Sequence, residues 1–181
     1  VPQRFVFAPH FNHRFYPEQQ VSRILWLDQH LKGGVRLPET PVSELKLKPI
    51  PMLRVTPSKG LPVNRVDIYY SVDPDSRSRF WRDAEAKQDG KSWEAQLPVM
   101  DLKRPLFVFA NIYYQLPTPA ALPRNQQVGE VCVSSLLHEA KPAALESAGV
   151  EAFGRTERVI DDFKRGFHDW YTINGTHRPL W

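Results

Sequence analysis

The order of apolar and polar residues in the first 35 positions predicts a strand, a loop and a helix. Residues 4–8, Arg-Phe-Val-Phe-Ala, form a short apolar run of the kind that is buried on both faces of a parallel sheet. A loop over 9–16 follows, and Pro17 suits the first turn of a helix. Helical spacing then joins four apolar residues, Val21, Ile24, Leu25 and Leu31. Gly33 and Gly34 suit the end of that helix, so the segment predicts one α/β step.

Residues 64–137 show period-two alternation, which predicts antiparallel strands. In NRVDIYYSV the inward positions are Val66, Ile68, Tyr70 and Val72, and in SWEAQL they are Trp93, Ala95 and Leu97. The stretch PLFVFANIYYQL is apolar on both faces, which suits a central strand, and VGEVCVSSLL supplies another. Asp89-Gly90 predicts a tight turn between strands. Several short strands with turns at this spacing predict a β-sandwich like the immunoglobulin fold.

Proline content separates these segments and predicts the domain organisation. Residues 36–63 carry six prolines and predict an extended connector with one edge strand near Met52–Val55. Residues 138–157 include PAALESAGV, which predicts a linker with a short helix, and 158–181 return to an aromatic, β-like pattern. The expected units are therefore a strand-loop-helix at 1–35, a connector at 36–63, a sandwich at 64–137 that could begin near 48, a linker at 138–157 and a tail at 158–181.

Composition narrows the classes of protein. With 41% hydrophobic residues, including 10 Phe, 6 Tyr and 5 Trp, the chain can fill a core and is not disordered as a whole. The net charge of +4 is mild and no basic run carries interleaved aromatics, so we expect no nucleic-acid partner. No apolar run is long enough to span a membrane. The chain lacks an initiator Met and starts almost inside a strand, so we expect a fragment of a longer precursor.

Candidate chemistry is sparse. The chain has no G-x-S-x-G nucleophile elbow, no phosphate loop and no G-x-G-x-x-G, so we expect no cofactor. His10 and His13 share a loop without an intervening carboxylate, and Asp73 and Asp75 fit a turn better than a calcium site, so we expect no metal. The lone cysteine, Cys132, excludes an internal disulfide, and its apolar surroundings predict a buried, inert thiol.

The histidine loop has the layout of the last step of an α/β-hydrolase sheet. In serine hydrolases of that architecture the triad order is Ser, then Asp or Glu, then His, and the histidine follows a late strand. Its imidazole takes the proton from the serine and returns it to the leaving group. The strand at 4–8, the loop and the helix after Pro17 have this order.

The stretch APHFNHRFYPEQQVSRILWLDQHLKGG resembles the C-terminal end of α/β-hydrolases, especially the dienelactone hydrolase, acetyl xylan esterase and prolyl oligopeptidase-like group and the PhoPQ-activated pathogenicity-related proteins. In those families a strand ends in a Pro-Asn-x-x-His-like turn, which Pro9 and His13 match, with His10 where Asn is commoner. The resemblance implies that His13 is the triad histidine of a secreted or periplasmic protein. It also implies that the serine and the acid lie in an upstream hydrolase domain of the same precursor. The alternative is that His13 is an ordinary polar loop residue.

Two further stretches resemble accessory modules. The residues from VDIYYSV to PLFVFANIYY are similar to the Ig-like or fibronectin-like domain that follows the hydrolase domain in some large secreted bacterial proteins, and VIDDFKRGFHDWYT resembles the opening of galactose-binding-like jelly rolls. Trp81, Trp170 and Tyr171 are candidate surface rings for stacking on a polysaccharide.

The combined expectation is a mainly β chain, in which an Ig-like β-sandwich follows the remnant of an α/β-hydrolase domain. Its function would be that of an accessory segment of a multidomain serine hydrolase that cleaves esters or peptides. That segment would contribute the triad histidine but would be inactive alone, because it has no nucleophile elbow. The alternatives are a non-catalytic carbohydrate-binding module and a structural spacer between domains.

Overall fold

The computed structural model describes residues 3–10 and 15–153, and most of its regular structure is β. Two α-helices are present in this part of the chain, α1 (Pro17–Lys32) and α2 (Pro142–Ser147), and a 3₁₀ turn at Pro123–Asn125 joins two of the strands. The strands are β1 (Val42–Lys46), β2 (Met52–Thr56), β3 (Val63–Ser71), β4 (Arg82–Ala84), β5 (Lys87–Asp89), β6 (Ser92–Gln96), β7 (Leu106–Leu122), β8 (Gln126–Ser134) and β9 (His138–Ala140). All ladders between these strands are antiparallel, and the predicted mainly β class is confirmed.

A four-stranded sheet has the order β1-β2-β6-β5. The strand predicted near Met52–Val55 is present as β2, but it pairs with β1 on one side and β6 on the other, so it is not an edge strand. The sequence analysis missed β1, which takes the edge. Prolines 41, 49, 51 and 57 lie immediately before, between or after these two strands, where a missing N–H costs no ladder bond.

A five-stranded sheet has the order β4-β3-β7-β8, with β9 also paired to β7. The long strand β7 pairs with β3 through Phe107–Tyr114 and with β8 from Asn111 onward, so its prediction as a central strand is confirmed. The β7–β8 register shifts between Gln115 and Ala120. Pro117 and Pro119 lie in that interval and cannot donate to a ladder.

The two sheets share one hydrophobic core, as in a β-sandwich. Leu53 of the smaller sheet, Leu97 directly after β6, and Val108 and Ile112 of the larger sheet are 0% exposed. Ala95 is also buried, as the alternation of SWEAQL predicts. Side chains alternate along a strand, so the intervening residues of β7 lie on the opposite face. We call this second face of the larger sheet the outer face; in β7 it consists of Phe107, Phe109, Asn111 and Tyr113.

The outer face is covered by the N-terminal segment and by α1, which explains why β7 is apolar on both sides. Phe107, Phe109, Asn111 and Tyr113 are all at most 8% exposed. The prediction that residues 4–8 form a strand of a parallel sheet is wrong for the described chain. Phe5 makes a single antiparallel bridge to Ser134, and the apolar rings of this segment pack against the outer face.

Helix α1 begins and ends where the sequence predicts. Pro17 is its first residue, and Gly33 ends it in the left-handed conformation, with φ 65°. Val21 and Leu25 are buried, but Leu31 is 76% exposed. The predicted single apolar stripe is therefore wrong at Leu31, which lies about 120° around the helix from Leu25.

Candidate functional site

The candidate site is the part of the outer face that holds the two ends of the histidine loop. His10 and Trp81 lie within the described residues. His13, Trp170 and Tyr171, which the sequence analysis also singled out, lie outside them. The site is therefore built from the groups that hold Phe7, which precedes the loop, and Tyr16, which is its last residue.

Phe7 is held by hydrogen bonds at both backbone polar groups. Its N–H donates to Ser134 Oγ at 2.8 Å, and its carbonyl oxygen accepts from Asn111 Nδ2 at 3.1 Å. Ser134 Oγ donates in turn to Asn111 Oδ1 at 2.5 Å. Asn111 and Ser134 are both 0% exposed, so these bonds replace water that cannot reach them.

Gln19 closes the two ends of the loop with one buried amide. Its Nε2 donates to the Phe7 carbonyl at 2.7 Å, and its Oε1 accepts from the Tyr16 N–H at 3.1 Å. Because one contact is a carbonyl and the other an N–H, the orientation of this amide is fixed. Gln19 is only 4% exposed. The backbone at Phe7 and the backbone at Tyr16 are therefore bonded to the same side chain, that of Gln19.

Ser22 attaches the next turn of α1 to the sheet. Its hydroxyl contacts the Cys132 carbonyl at 2.8 Å and the Glu18 carbonyl at 3.1 Å. Cys132 itself is 0% exposed, and burial raises the pKa of its thiol far above the usual value. A thiol that stays protonated is a poor nucleophile, so the structure agrees with the interpretation of Cys132 as inert.

His10 lies over the sheet in an unusual backbone conformation. Its φ is 66°, in the left-handed region that residues other than glycine seldom adopt. The imidazole contacts the edge of Tyr69 with 6.0 Å between ring centroids, and it lies 5.8 Å from Phe80. These ring contacts pack His10 against Tyr69 of the larger sheet and against Phe80.

An aromatic layer continues from Phe7 across the sheet. The Phe7 and Phe109 rings are 4.9 Å apart, and Trp81 packs perpendicular to Phe109 at 4.7 Å. Trp81 is thus half-buried, whereas its neighbour Phe80 is 59% exposed. The more open ring at this position is therefore Phe80, which the sequence analysis did not select.

A charged group lies on the same sheet beside the aromatic layer. Arg65 Nε contacts Asp67 Oδ2 at 3.2 Å and its guanidinium lies 3.9 Å from the centre of the Tyr113 ring. Tyr69 donates its hydroxyl proton to Asp67 at 3.3 Å. Burial raises the pKa of Asp67 although Arg65 opposes the shift, and burial together with the Asp67 charge raises the pKa of Tyr69. These groups contact one another and form a structural network.

One serine–histidine pair occurs elsewhere in the fold. Ser43 Oγ and His138 Nε2 are 2.7 Å apart and join β1 to β9. Among residues 3–10 and 15–153, no carboxylate contacts the other imidazole nitrogen, so the group that orients a triad histidine is missing. Burial lowers the pKa of His138, which agrees with a neutral hydrogen-bonding role.

The described ranges contain no group of three or more His, Cys, Asp or Glu side chains placed to bind a metal ion. Asp73 and Asp75 instead accept backbone hydrogen bonds two residues ahead, from Asp75 and Arg77, as turn-forming aspartates do. Nor does this part of the chain include a helix that is both long and apolar enough to cross a membrane.

Comparison with known proteins adds no further constraint. No protein-family model, no curated protein and no solved structure matches the chain. The residues that build the site must therefore be judged by their own geometry.

The sequence analysis missed the polar residues that carry the site, Gln19, Asn111 and Ser134. A sequence signal existed for two of them, because Asn111 and Ser134 interrupt strands that are otherwise apolar. A polar residue in such a place requires a buried hydrogen-bond partner. The partner itself, the backbone of Phe7, is more than a hundred residues away from both and could not be predicted from the pattern.

Proposed function

We propose that this chain is the accessory part of a multidomain serine hydrolase, and that its immunoglobulin-like sandwich holds the loop that carries the triad histidine, His13. The observation that supports this most is the Gln19 amide, which ties Phe7 and Tyr16 together on the sheet. A loop whose two ends are held in this way suits a residue that must be presented in one place.

The chemical reason for such support is the precision of general base catalysis. An imidazole must lie within hydrogen-bond distance of the serine hydroxyl to accept its proton and later to protonate the leaving group. A displacement of about 1 Å in a catalytic group can cost on the order of a hundredfold in rate. In the proposed enzyme the buried contacts at Phe7 and Gln19 limit that displacement, and the serine and the acid belong to the upstream hydrolase domain.

The test requires the longer polypeptide that the same gene encodes, including the residues that precede Val1. With p-nitrophenyl acetate as substrate, His13→Ala should reduce kcat by at least about 1,000-fold, because removal of a triad member has effects of this size or larger. His138→Gln is the matched control, and it should reduce kcat by less than about tenfold because His138 bonds to Ser43 of β1 and takes no part in holding the loop.

A second readout separates catalysis from folding. Labelling of the active-site serine by a fluorophosphonate should slow in His13→Ala while the melting temperature stays within a few degrees of the wild type. Full hydrolytic activity in His13→Ala would refute the proposal. An upstream gene region without a G-x-S-x-G element would refute it as well.

A second proposal, from another class, is that the exposed Phe80 and the half-buried Trp81 form a polysaccharide-binding surface. It is favoured by the position of Phe80, which is 59% exposed and has His10 at 5.8 Å and Arg82 at 5.8 Å on its flanks. Sugar rings stack on exposed aromatic faces of this kind. Titration of soluble polysaccharides with tryptophan fluorescence as readout tests it, and an unchanged titration in Phe80→Ala and Trp81→Ala would exclude this surface.

A further inference from the structure

Helix α1 has a second apolar side that the sandwich does not cover. Val21 and Leu25 contact the sheet and are at most 8% exposed, whereas Leu27 and Leu31 are 51% and 76% exposed. Leu27 and Leu31 are four residues apart and lie next to each other along the helix surface. A helix at the surface of an isolated domain normally shows polar residues on the side that faces water.

A groove lies between α1, the N-terminal segment and β8. Its volume is about 550 Å³. The apolar residues that line it include Val6, Phe15, Trp26 and Leu37. Phe15 is 52% exposed, so an aromatic ring is available to a partner at this place. Residues of α1 form one wall of the groove, and Leu27 and Leu31 lie on the same helix. We call the groove and these two leucines together the α1 surface.

The charges on the α1 surface indicate what kind of partner it fits. Arg4 is neutralised by Glu39 at 2.9 Å and lies 5.6 Å from the Trp26 ring. Arg23 lines the groove and is exposed, and it has no ion pair within the described part of the chain. A partner with apolar side chains and a carboxylate near Arg23 would complement this surface.

The path of the chain indicates where such a partner is attached. Gln3 is the first described residue, and it lines the groove itself. A domain joined to the amino side of Gln3 therefore starts at the α1 surface.

We propose that the α1 surface is the docking site of the nucleophile-bearing domain of the same polypeptide, which makes α1 a helix shared by two domains. This inference rests on the proposed function for the existence of that domain. It adds which face of the accessory part the domain covers. It also adds that the contact is apolar, with one charge pair at Arg23.

The first experiment uses the 181-residue chain alone. The double variant Leu27→Glu, Leu31→Glu should leave its circular dichroism and melting temperature unchanged, because both side chains are exposed. Analytical ultracentrifugation should show a monomer with or without the substitutions. A wild-type dimer that the double variant dissociates would assign the α1 surface to a second copy and would overturn the proposal.

The second experiment uses the longer polypeptide with a photo-crosslinking p-benzoylphenylalanine at position 27. Cross-links should map to the upstream domain, and the same probe at Val42, which is 73% exposed on β1, should give at least fivefold fewer of them. Leu31→Glu should reduce the yield from position 27 by a similar factor. Equal yields from the two positions, or a gene that encodes no domain before Val1, would overturn the proposal.

The two proposals can fail separately. Cross-links from position 27 together with an active His13→Ala variant would leave the docking surface in place and refute the catalytic role. An inactive His13→Ala variant without cross-links from position 27 would leave the catalytic role in place and refute the docking surface.

Discussion

Gln19 offers the sharpest test of how the loop is held. Gln19→Ala removes two buried hydrogen bonds, to the Phe7 carbonyl and from the Tyr16 N–H, each worth about 1 kcal/mol. Alanine regains less than about 0.5 kcal/mol through its higher helix propensity. Loss of packing around a side chain that is 4% exposed acts in the opposite direction. The expected loss of stability is therefore about 2 kcal/mol.

The matched control is the next residue, Gln20, which is exposed. Its side-chain amide donates to the Phe15 carbonyl at 3.0 Å, a bond that water can replace. Gln20→Ala should change the free energy of unfolding in urea by less than about 0.5 kcal/mol. If the segment opens locally, exchange of the Phe7 amide hydrogen should accelerate about 30-fold in Gln19→Ala, the equivalent of 2 kcal/mol. Equal stability and equal exchange in the two variants would refute the account of Gln19.

Three further predictions concern other parts of the fold. Burial lowers the pKa of His138 below its usual 6.5, so the unfolded chain takes up the proton first and stability should fall as the pH decreases below about 6.5. His138→Gln should flatten that dependence in urea unfolding, and parallel curves for the two proteins would contradict the prediction. Trp81→Ala should cost about 2 kcal/mol because the ring packs on Phe109, against less than about 1 kcal/mol for the exposed Phe80→Ala, and a reversed order in thermal unfolding would be inconsistent with the packing. The Cys132 thiol, whose pKa burial raises, should react with a disulfide reagent only at the rate of unfolding, and fast reaction of the native protein would disprove its burial.

Five of the nine strands in the described residues, β2, β3, β6, β7 and β8, could be predicted because the local pattern determines them, whereas β1, β4, β5 and β9 were missed. Period-two alternation identified β3 and β6, and a long apolar run identified β7 as central. The same reasoning missed β1 because short strands between prolines resemble extended connectors, and only pairing with β2 distinguishes the two.

The site could not be predicted because it depends on contacts between distant residues. The apolar run at 4–8 resembles a parallel strand in the sequence, yet the outer face of the larger sheet offers its rings a place to pack. Gln19 is polar in a helix and gives no sequence sign of burial. Its role depends on the arrival of Phe7 beside Tyr16, which is a property of the fold.

The central claim, that the sandwich holds both ends of the histidine loop, is tested most directly by nuclear Overhauser effects in the 181-residue chain. The structure places the Phe7 and Phe109 ring centres 4.9 Å apart and those of His10 and Tyr69 6.0 Å apart. Cross-peaks between the ring protons of both pairs, lost or weakened in Gln19→Ala but not in Gln20→Ala, are the predicted result. Absence of both cross-peaks in the wild-type chain would contradict the account.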